Sequence, residues 1–493
     1  MTGKTVNKSF GLQMHRLAVY ATWSDKLKFI GHSVFEISAP IKYKLITSAW
    51  PIRNYSPWAG PSRTRMKQTV TLALLAGTNI LVTLLFQWCV ITQLGVGLQT
   101  DALFAGMAVP QLILLVVSSS LTHVLVPLLA TADSEDFRQN AWGFFLGISG
   151  GFSVLALLLY VTASYWVPWL VPGFSKAGQA LTVTLTRIQL LGMVFTASVS
   201  VLWSVYHARQ RFIWVELSTL LSGAIGLALL FKILPVYGVV GAASLVVLRS
   251  GLQILWLLPG LGRWQWPNWN SPAMREGWRR IRPLLFGTAY YRTDMLVDRL
   301  LASMAPAGGL SLLYIGQQIY GIANVVAEKA IAAPMVPALA VHASAEKWQQ
   351  FRRLYQRRLI EIAGLTVAGY LALLIVGERI LTLLIGHGGV TKDNVHLLWL
   401  IMVALVGVFI AGAMGVITSK TFYAMGDTRT PTRMSVITYT LYIPAKVFGF
   451  LHFGLLGLAV VTSAYLFLNL IIQVLLLEFS VIPNRRREPQ GST

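Results

Sequence analysis

Two acids and two bases interrupt an otherwise apolar stretch, "YYRTDMLVDRLLAS", at residues 290–303. On a helix, 100° per residue places Arg292 and Arg299 on one face, and Asp294 with its i+4 neighbour Asp298 on another. A planar guanidinium suits phosphate, and adjacent carboxylates suit proton or cation binding. The alternative is that the four side chains form salt bridges that hold helices together.

The composition shows where this stretch must lie. Hydrophobic residues make up 55% of the chain, charged residues 12%, and the mean hydropathy is +0.63, all typical of a polytopic membrane protein. A window of about 19 residues gives twelve apolar spans, too long and continuous for the alternating strands of a barrel. These spans are 69–91, 101–130, 141–166, 178–205, 215–234, 238–261, 283–303, 309–340, 357–377, 395–419, 434–451 and 454–478.

Ten charged residues fall within or at the edges of these spans. They are Asp101, Arg187, Arg249, Arg292, Asp294, Asp298, Arg299, Glu328, Lys329 and Lys446. A charge at the bilayer centre costs about 2.5 kcal/mol or more, so each should face protein or a water-filled cavity. We expect Asp101 to lie at a helix N-terminus, where a negative charge is favourable. We expect Arg249 and Lys446 to extend towards a membrane interface. The seventh span is therefore the strongest candidate site, and Glu328 with Lys329 a weaker one.

The basic residues are distributed unevenly between the two sides of the bilayer. With both termini in the cytoplasm, thirty of the 40 Lys and Arg residues lie at the inner side and four at the outer side. The positive-inside rule therefore predicts a multi-pass protein with cytoplasmic termini. It also explains the net charge of +22 without nucleic acid, and it makes anionic headgroups at the inner face the expected partner.

Several kinds of chemistry are excluded by the motifs. Cys89 is the single cysteine, so disulfides within the chain and thiolate metal sites are not expected. The phosphate-binding pattern GxxxxGK[ST] and the hydrolase patterns HExxH and GxSxG do not occur, and no aqueous insert between spans is long. We predict a secondary transporter rather than an enzyme, without cofactor or metal, driven by an ion gradient, the membrane potential or its substrate's gradient.

An internal repeat divides the chain into two halves. "VPLLATADSEDFRQ" (126–139) and "VPALAVHASAEKWQQ" (336–350) both run from Val-Pro-x-Leu-Ala into a polar loop. The ends of the fourth and tenth spans, "VYHARQRF" and "TFYAMGDTRTP", also resemble each other. The prediction is an all-α membrane protein with two six-helix lobes related by a pseudo-two-fold axis along the membrane normal, which places the substrate between the lobes.

The predicted boundaries follow from this division. They are a basic N-terminal extension (1–68), an N-lobe (69–262), a cytoplasmic linker (263–282), a C-lobe (283–478) and a cytoplasmic tail (479–493). The extension is either an arm on anionic headgroups or the product of a start assigned ahead of the true one at Met66.

Three segments resemble a known family. "QTDALFAGMAVPQLI" (99–113), "SLLYIGQQIYGIANVVAEKAIAAPMVPALA" (311–340) and "FYAMGDTRTPTRMSVITY" (422–439) are similar to the MurJ/MviN flippases of the MOP superfamily. The resemblance covers about 67–480, and its matched residues are Asp101, Asp427, Thr430 and Pro431. It implies a monomeric transporter in the bacterial plasma membrane that flips lipid II, or another undecaprenyl-pyrophosphate-linked saccharide, to the outer leaflet by alternating access.

The resemblance also shows differences at the expected cavity. Positions that carry arginine in the lipid II flippases hold Ile80, Phe86 and Leu114, and an Asp-Arg pair is replaced by Gln317 and Gln318. We therefore expect other residues to hold the pyrophosphate: Arg292 and Arg299, with Arg187 and Arg249 as lesser candidates. Asp294, Asp298 and Glu328 are the candidates for coupling to H⁺ or Na⁺. The alternatives are a multidrug/cation antiporter of the same superfamily and, less favoured, a membrane glycan polymerase.

Overall fold

The structure is a computed structural model that describes residues 63–130 and 134–483. Most of the predicted extension and most of the tail lie outside these residues. The described residues are almost entirely helical, and they contain no strand. Nine of their helices are long and apolar enough to cross a membrane.

The first half of the chain forms six helices. They are α1 (Arg63–Leu94), α2 (Leu98–Gly106), α3 (Ala108–Ala130), α4 (Ser134–Leu170), α5 (Lys176–Ala208) and α6 (Phe212–Leu257). Together α2 and α3 form the second span, and α6 contains the fifth and sixth spans. A short 3₁₀ turn, Leu258–Leu261, then leads into the linker.

The second half forms nine helices. They are α7 (Pro272–Arg292), α8 (Asp294–Ala302), α9 (Gly309–Ala327), α10 (Ala333–Ser344), α11 (Trp348–Ala372), α12 (Glu378–Ile385), α13 (Lys392–Ala404), α14 (Val406–Ala424) and α15 (Arg429–Leu476). π-Helical segments at Glu328–Ala332 and Leu373–Gly377 join α9 to α10 and α11 to α12. The seventh span is α7 with α8, and the last two spans both lie in α15.

Two of the longest helices are in fact antiparallel hairpins. Gly238 in α6 has φ 55° and ψ −139°, and Gly454 in α15 has φ 59° and ψ −144°. A side chain rarely adopts this conformation, so glycine is required where the chain reverses. Gln253 Nε2 donates to Thr219 Oγ1 across the first hairpin at 2.5 Å. Each hairpin supplies two spans, so all twelve predicted spans are helical.

The internal repeat is visible in the backbone as well. Gln210 and Gly426 both have positive φ, and the amide after each bonds the carbonyl five residues earlier, at 2.9 and 3.0 Å. The chain distance from Gln210 to the Gly238 turn equals that from Gly426 to the Gly454 turn. The two halves therefore repeat the same loop and hairpin, as the sequence predicted.

The helices place the loops at two ends of the bundle. We call one end the basic end, because it carries most of the described basic loop residues: Arg138, Arg209, Arg211, Arg263, Arg275, Arg279, Arg280, Lys347, Arg352, Arg353, Lys420 and Arg429. The other end, called the far end, carries the loops around Val96, Gly173, Gly308 and Gly389.

The two ends of the bundle differ in whether the two halves of the chain share one apolar core. Towards the far end one core contains residues of both halves, among them Leu103, Leu185, Leu313 and Leu398. Towards the basic end, the described residues form two separate cores, one within each half. Because buried apolar contact is the main attraction between packed elements, the lobes are joined at the far end and independent at the basic end.

The seventh span is divided between the lobes. Met274 and Ile281 of α7 belong to the core of the first half, whereas Leu301 and Ala302 of α8 belong to the shared core. The helix is interrupted at Thr293, whose amide bonds the Tyr290 carbonyl at 3.2 Å. The start of the second half therefore packs on the first lobe up to this break.

Candidate functional site

An ion cluster lies just beyond the break in the seventh span. Lys446 of α15 places its Nζ 2.5 Å from Asp294 Oδ1 and 2.5 Å from Asp298 Oδ1. The first contact is a hydrogen bond, and the second is an ion pair without hydrogen-bond geometry. The Lys446 side chain is fully buried, so the expectation that it extends to an interface is wrong. Two adjacent carboxylates provide a more favourable position for the ammonium than a distant interface.

Neutral side chains complete this cluster. Gln317 of α9 donates from Nε2 to Asp298 Oδ2 at 2.8 Å. Lys446 Nζ also lies over the Tyr442 ring, 4.8 Å from its centroid, a cation–π arrangement. Tyr442 is held in turn by a 2.8 Å hydrogen bond to Thr462 Oγ1. The acids are thus paired with an internal cation and fixed from three helices.

The two acids differ in their access to the surroundings. The Asp294 side chain is 30% exposed, whereas that of Asp298 is 5% exposed. Asp294 lies next to the break at Thr293, and Asp298 lies one turn deeper in α8. Asp294 is therefore the more exposed of the two carboxylates.

The two arginines of the seventh span occupy different surroundings. Arg292, the last residue of α7, is exposed, whereas Arg299 in α8 is 2% exposed. The break at Thr293 separates them, so the common face expected from an unbroken helix does not form. In this conformation Arg292 can contact a headgroup and Arg299 cannot.

Arg299 is buried between the lobes against aromatic rings. Its guanidinium lies 4.7 Å from the Tyr314 centroid, and Tyr314 stacks on Phe104 of α2 with centroids 4.3 Å apart. Gln318 donates to the Tyr314 hydroxyl at 2.6 Å. The carboxylates of Asp298 and Asp101 both interact electrostatically with the Arg299 guanidinium. Arg299 thus links the ion cluster to the contact between the lobes.

Asp101 forms that contact. Its Oδ2 accepts the Gly308 amide at 2.6 Å, and its Oδ1 accepts the Ser311 amide at 2.7 Å and the Ser311 hydroxyl at 2.5 Å. Because α9 begins at Gly309, a carboxylate of the first lobe caps a helix of the second. Gly308 has φ 91°, which glycine adopts readily. The expected helix-terminal role of Asp101 is therefore exerted across the lobe interface.

Backbone contacts reinforce the far end. The Gly389 amide donates to the Thr92 carbonyl at 2.7 Å, and Gly173 lies against the Ser303 backbone with no room for a Cβ. Gly95 and Gly389 also approach each other too closely for a side chain on either. These glycines allow the loops of the two lobes to meet directly.

The other predicted charges lie outside the cluster. Arg187 donates to the Tyr160 carbonyl and to Ser164 Oγ, both at 3.2 Å, in the contact between α4 and α5. Arg249 donates to Thr83 Oγ1 at 3.2 Å, within the first lobe. Rather than extending to an interface as expected, it lies against α1.

Glu328 lies in the π-helical segment of the eighth span. Its carboxylate is 3.0 Å from Lys420 Nζ of α14, and both side chains are partly exposed. Glu328 is therefore paired within the second lobe, away from Asp294 and Asp298.

The most specific part of the family-like motif starts a helix. Asp427 Oδ1 accepts the amides of Arg429 and Thr430, at 3.1 and 3.0 Å, at the first turn of α15. Pro431 follows in the same turn and is buried. This arrangement satisfies amides that have no partner in the helix, so these residues fix where α15 begins.

Sequence reasoning missed the partners of the ion cluster. Gln317, Tyr442 and Tyr314 carry no charge, and Lys446 lies 152 residues from Asp294. The available signal was a single lysine in the middle of the eleventh span, opposite two acids in the seventh.

Similarity to known proteins extends over most of the chain. The family model described as Lipid II flippase MurJ matches residues 90–484. A probable lipid II flippase MurJ of Vibrio cholerae is 26% identical over 238 residues, 47% of this chain and 45% of that protein. Another, of Buchnera aphidicola, is 20% identical over 76% of this chain and 77% of that protein. The alignment thus spans under half the length of the Vibrio cholerae relative.

Solved structures with the same fold come from two groups of transporters. A lipid II flippase MurJ in an inward closed conformation superposes with TM-score 0.71 and 17% identity, covering 84% of this chain and 89% of that chain. An inward-facing multidrug resistance MATE transporter of the MOP superfamily gives TM-score 0.70 and 14% identity, covering 83% and 96%. The two-lobed fold is common to both.

Proposed function

Since this chain belongs to the MurJ family of lipid II flippases, we propose that it flips a polyprenyl-pyrophosphate-linked saccharide across the bacterial plasma membrane by alternating access. We propose that the chain works as a multi-pass membrane transporter, since nine of the described helices are long and apolar enough to cross a membrane. We propose lipid II or another lipid-linked glycan precursor as the substrate and a monomer as the working unit.

The distribution of the cores carries the proposal. The lobes share a core at the far end and have separate cores at the basic end, so a headgroup can enter between them only from the basic end. The positive-inside rule assigns the basic end, with both termini, to the cytoplasm. The molecule is then in the state that receives its substrate from the inner leaflet, where lipid-linked precursors are made.

Arg292 is the proposed contact for the pyrophosphate. It is exposed at the break of the seventh span, and a guanidinium binds phosphate oxygens through two parallel N–H groups. Arg299 is buried behind the Asp101 contact, so we assign it a later part in the cycle, after the far end has opened. Arg187 and Arg249, bound within the first lobe, are secondary candidates.

We propose a proton as the coupling ion. Na⁺ would need the carboxylate oxygens that Lys446 already holds at 2.5 Å, and a second cation there would be repelled. A proton needs only one carboxylate, and Asp294 is the reachable one. Protonation of Asp294 would weaken its bond to Lys446 and free the segment next to the Thr293 break. Glu328, paired with Lys420, is a secondary candidate.

The apolar residues at Ile80, Phe86 and Leu114 bear on which saccharide is carried. The resemblance places arginines of the lipid II flippases at these positions, so a substrate bound here relies on other cations. We therefore include lipid-linked glycan precursors other than lipid II among the candidate substrates.

The test is a flipping assay in proteoliposomes. A fluorescently labelled undecaprenyl-pyrophosphate saccharide is placed in both leaflets, and dithionite bleaches the label that reaches the outer one. Full bleaching with the protein, against about half without it, supports the proposal. A multidrug antiporter would instead export an organic cation such as ethidium and leave the labelled lipid half bleached, which would overturn the proposal.

A further inference from the structure

The linker between the two halves exposes three tryptophans in six residues. Trp264, Trp266 and Trp269 are 50%, 79% and 53% exposed. Exposure of so much apolar ring surface is unfavourable in water, and tryptophan concentrates where a membrane protein meets the headgroup layer. The linker lies at the basic end, so its rings are positioned for that layer.

The linker is held in place by polar contacts with the start of α4. Trp142 Nε1 donates to the Arg263 carbonyl and Gln139 Nε2 to the Trp266 carbonyl, each at 3.2 Å. Ser271 Oγ donates to Asn140 Oδ1 at 2.9 Å and also caps α7. A surface fixed in this way loses little conformational entropy when a ligand binds.

A cavity of about 380 Å³ opens beside this linker. Two tryptophans and two arginines line it: Trp269, Arg275, Trp278 and Arg279. Arg275 and Arg279 are both exposed, and Arg279 is bound to Glu276 at 2.5 Å. Guanidinium groups beside indole rings form a site for an anion with an apolar part.

Glu276 is the acid near this cavity. It accepts hydrogen bonds from Arg280 and Arg279, which hold the pKa of the Glu276 carboxyl below its usual range. The carboxylate therefore stays ionised at neutral pH and neutralises one of the three arginines on this turn. The group keeps a net charge of two, which favours an anionic ligand.

The face of α4 beside the cavity carries glycines and then apolar side chains. Trp269 packs over Gly147, and a Cβ at Gly150 or Gly151 would meet nothing within 4 Å. Further along the same face are exposed apolar side chains at the helical spacing: Val154, Leu158, Val161 and Tyr165. This stripe has the length and polarity that an acyl chain would cover.

We propose that this cavity binds the phosphate of an anionic phospholipid, with an acyl chain of the same lipid along the apolar stripe of α4. The arginines bind the phosphate, the indoles flank the glycerol region, and the glycines leave room for the first methylene groups. The cavity's lining residues do not include Asp294 or Arg292. Three of its four lining residues belong to α7, which packs on the first lobe.

Native mass spectrometry of the purified full chain tests this site. Delipidated protein is titrated with phosphatidylglycerol or with phosphatidylcholine of the same acyl chains. We expect tight binding of one phosphatidylglycerol, at least tenfold tighter than phosphatidylcholine. R275Q/R279Q should weaken phosphatidylglycerol binding roughly tenfold to thirtyfold, since each arginine near a lipid surface contributes to anion attraction.

The chain provides a matched control in a second arginine–glutamate group. Arg357 and Arg358 hold Glu361 as Arg280 and Arg279 hold Glu276, without flanking tryptophans. R357Q/R358Q removes the same charge and should leave binding unchanged. Equal losses in both double variants would show general surface attraction and overturn the proposal, as would equal binding of both lipids.

Two further variants test the proposal if R275Q/R279Q does not fold. G151L occupies the open space on α4 but not the cavity, and should weaken phosphatidylglycerol binding while glycerol-3-phosphate binding stays the same. W266F alters an exposed ring that does not line the cavity, and should bind as the parent does. Displacement of phosphatidylglycerol by equimolar undecaprenyl pyrophosphate would assign the cavity to the transported lipid and overturn the proposal.

Discussion

Asp101 of the first lobe accepts hydrogen bonds from both the amide and the hydroxyl of Ser311 in the second lobe, at 2.7 and 2.5 Å. The carboxylate also accepts the Gly308 amide, so one buried side chain satisfies the first turn of a helix that belongs to the opposite lobe. Opening the far end must break all of these bonds together.

The first prediction is that D101N loosens the far end. The asparagine side-chain amide would place an N–H donor against backbone and hydroxyl groups that are themselves donors. Each hydrogen bond to the charged carboxylate that is lost in this way is worth about 1.5–3 kcal/mol. We expect the closed population to fall at least tenfold. Spin labels at K176C and K392C, in a C89S background, should give a longer and broader distance distribution. D427N, which changes a carboxylate that caps its own helix, is the control and should leave the distribution unaltered.

The second prediction concerns Lys446. K446M leaves Asp294 and Asp298 without their cation, and breaking a buried pair costs about 3–5 kcal/mol. We expect a marked fall in the thermal unfolding midpoint of the purified protein. The triple variant K446M/D294N/D298N removes the uncompensated charges and should recover most of the loss. An unchanged midpoint in K446M alone would refute the pairing.

The third prediction separates the two acids. D298N alters the deeper carboxylate, bound by Gln317, and should lower stability. D294N should lower stability less than K446M does, because Asp298 still pairs with Lys446, and it should still flip lipid, yet lose the response of its rate to an imposed pH gradient. Wild-type flipping should respond to that gradient and not to a Na⁺ gradient. A Na⁺ response in the wild type would contradict proton coupling.

The fourth prediction concerns Arg292. R292Q removes the exposed guanidinium at the break, so the flipping rate of the labelled lipid should fall about tenfold or more. R379Q is the comparison, because Arg379 is exposed in α12 and has no part in the proposed site, and it should retain most of its rate. Similar losses in both variants would indicate a diffuse electrostatic effect instead of a defined contact.

The fifth prediction tests the hairpin turns. Gly238 and Gly454 have positive φ, and the space that a methyl group would occupy at each is open, so alanine there costs conformational energy alone, about 1–2 kcal/mol. G238A and G454A should each lower the unfolding midpoint by a few degrees. G364A, at a helical glycine with equally open space, should be neutral or slightly stabilising.

The fold was largely predictable because it depends on local properties of the chain. The length of each apolar stretch determines which segments cross the membrane. The distribution of basic residues among the loops indicates which end of each segment faces the cytoplasm. The glycine turns at Gly238 and Gly454 lie where the sequence separates adjacent spans. The break at Thr293 was not predicted by periodicity, because no proline or glycine occurs there.

The sequence predicted where the candidate site lies but not which residues pair with each other in it. The charged seventh span does contain the ion cluster, since charges inside a membrane need partners. The partners themselves come from distant segments: Ser311 lies 210 residues from Asp101, and no local pattern connects them. The helix break also moved Arg299 away from Arg292, so a prediction based on one continuous helix placed both arginines on the same surface.

The division of the seventh span between the lobes has a consequence for how the chain can be dissected. The linker is the boundary by sequence, but Met274 and Ile281 complete the core of the first half. A polypeptide cut at residue 262 would leave that core unfilled, and its complement would begin with a helix lacking the surface it packs on. The smallest separable piece of the amino-terminal lobe therefore extends to Thr293, and a gene split there would be expected to yield two fragments that reassemble.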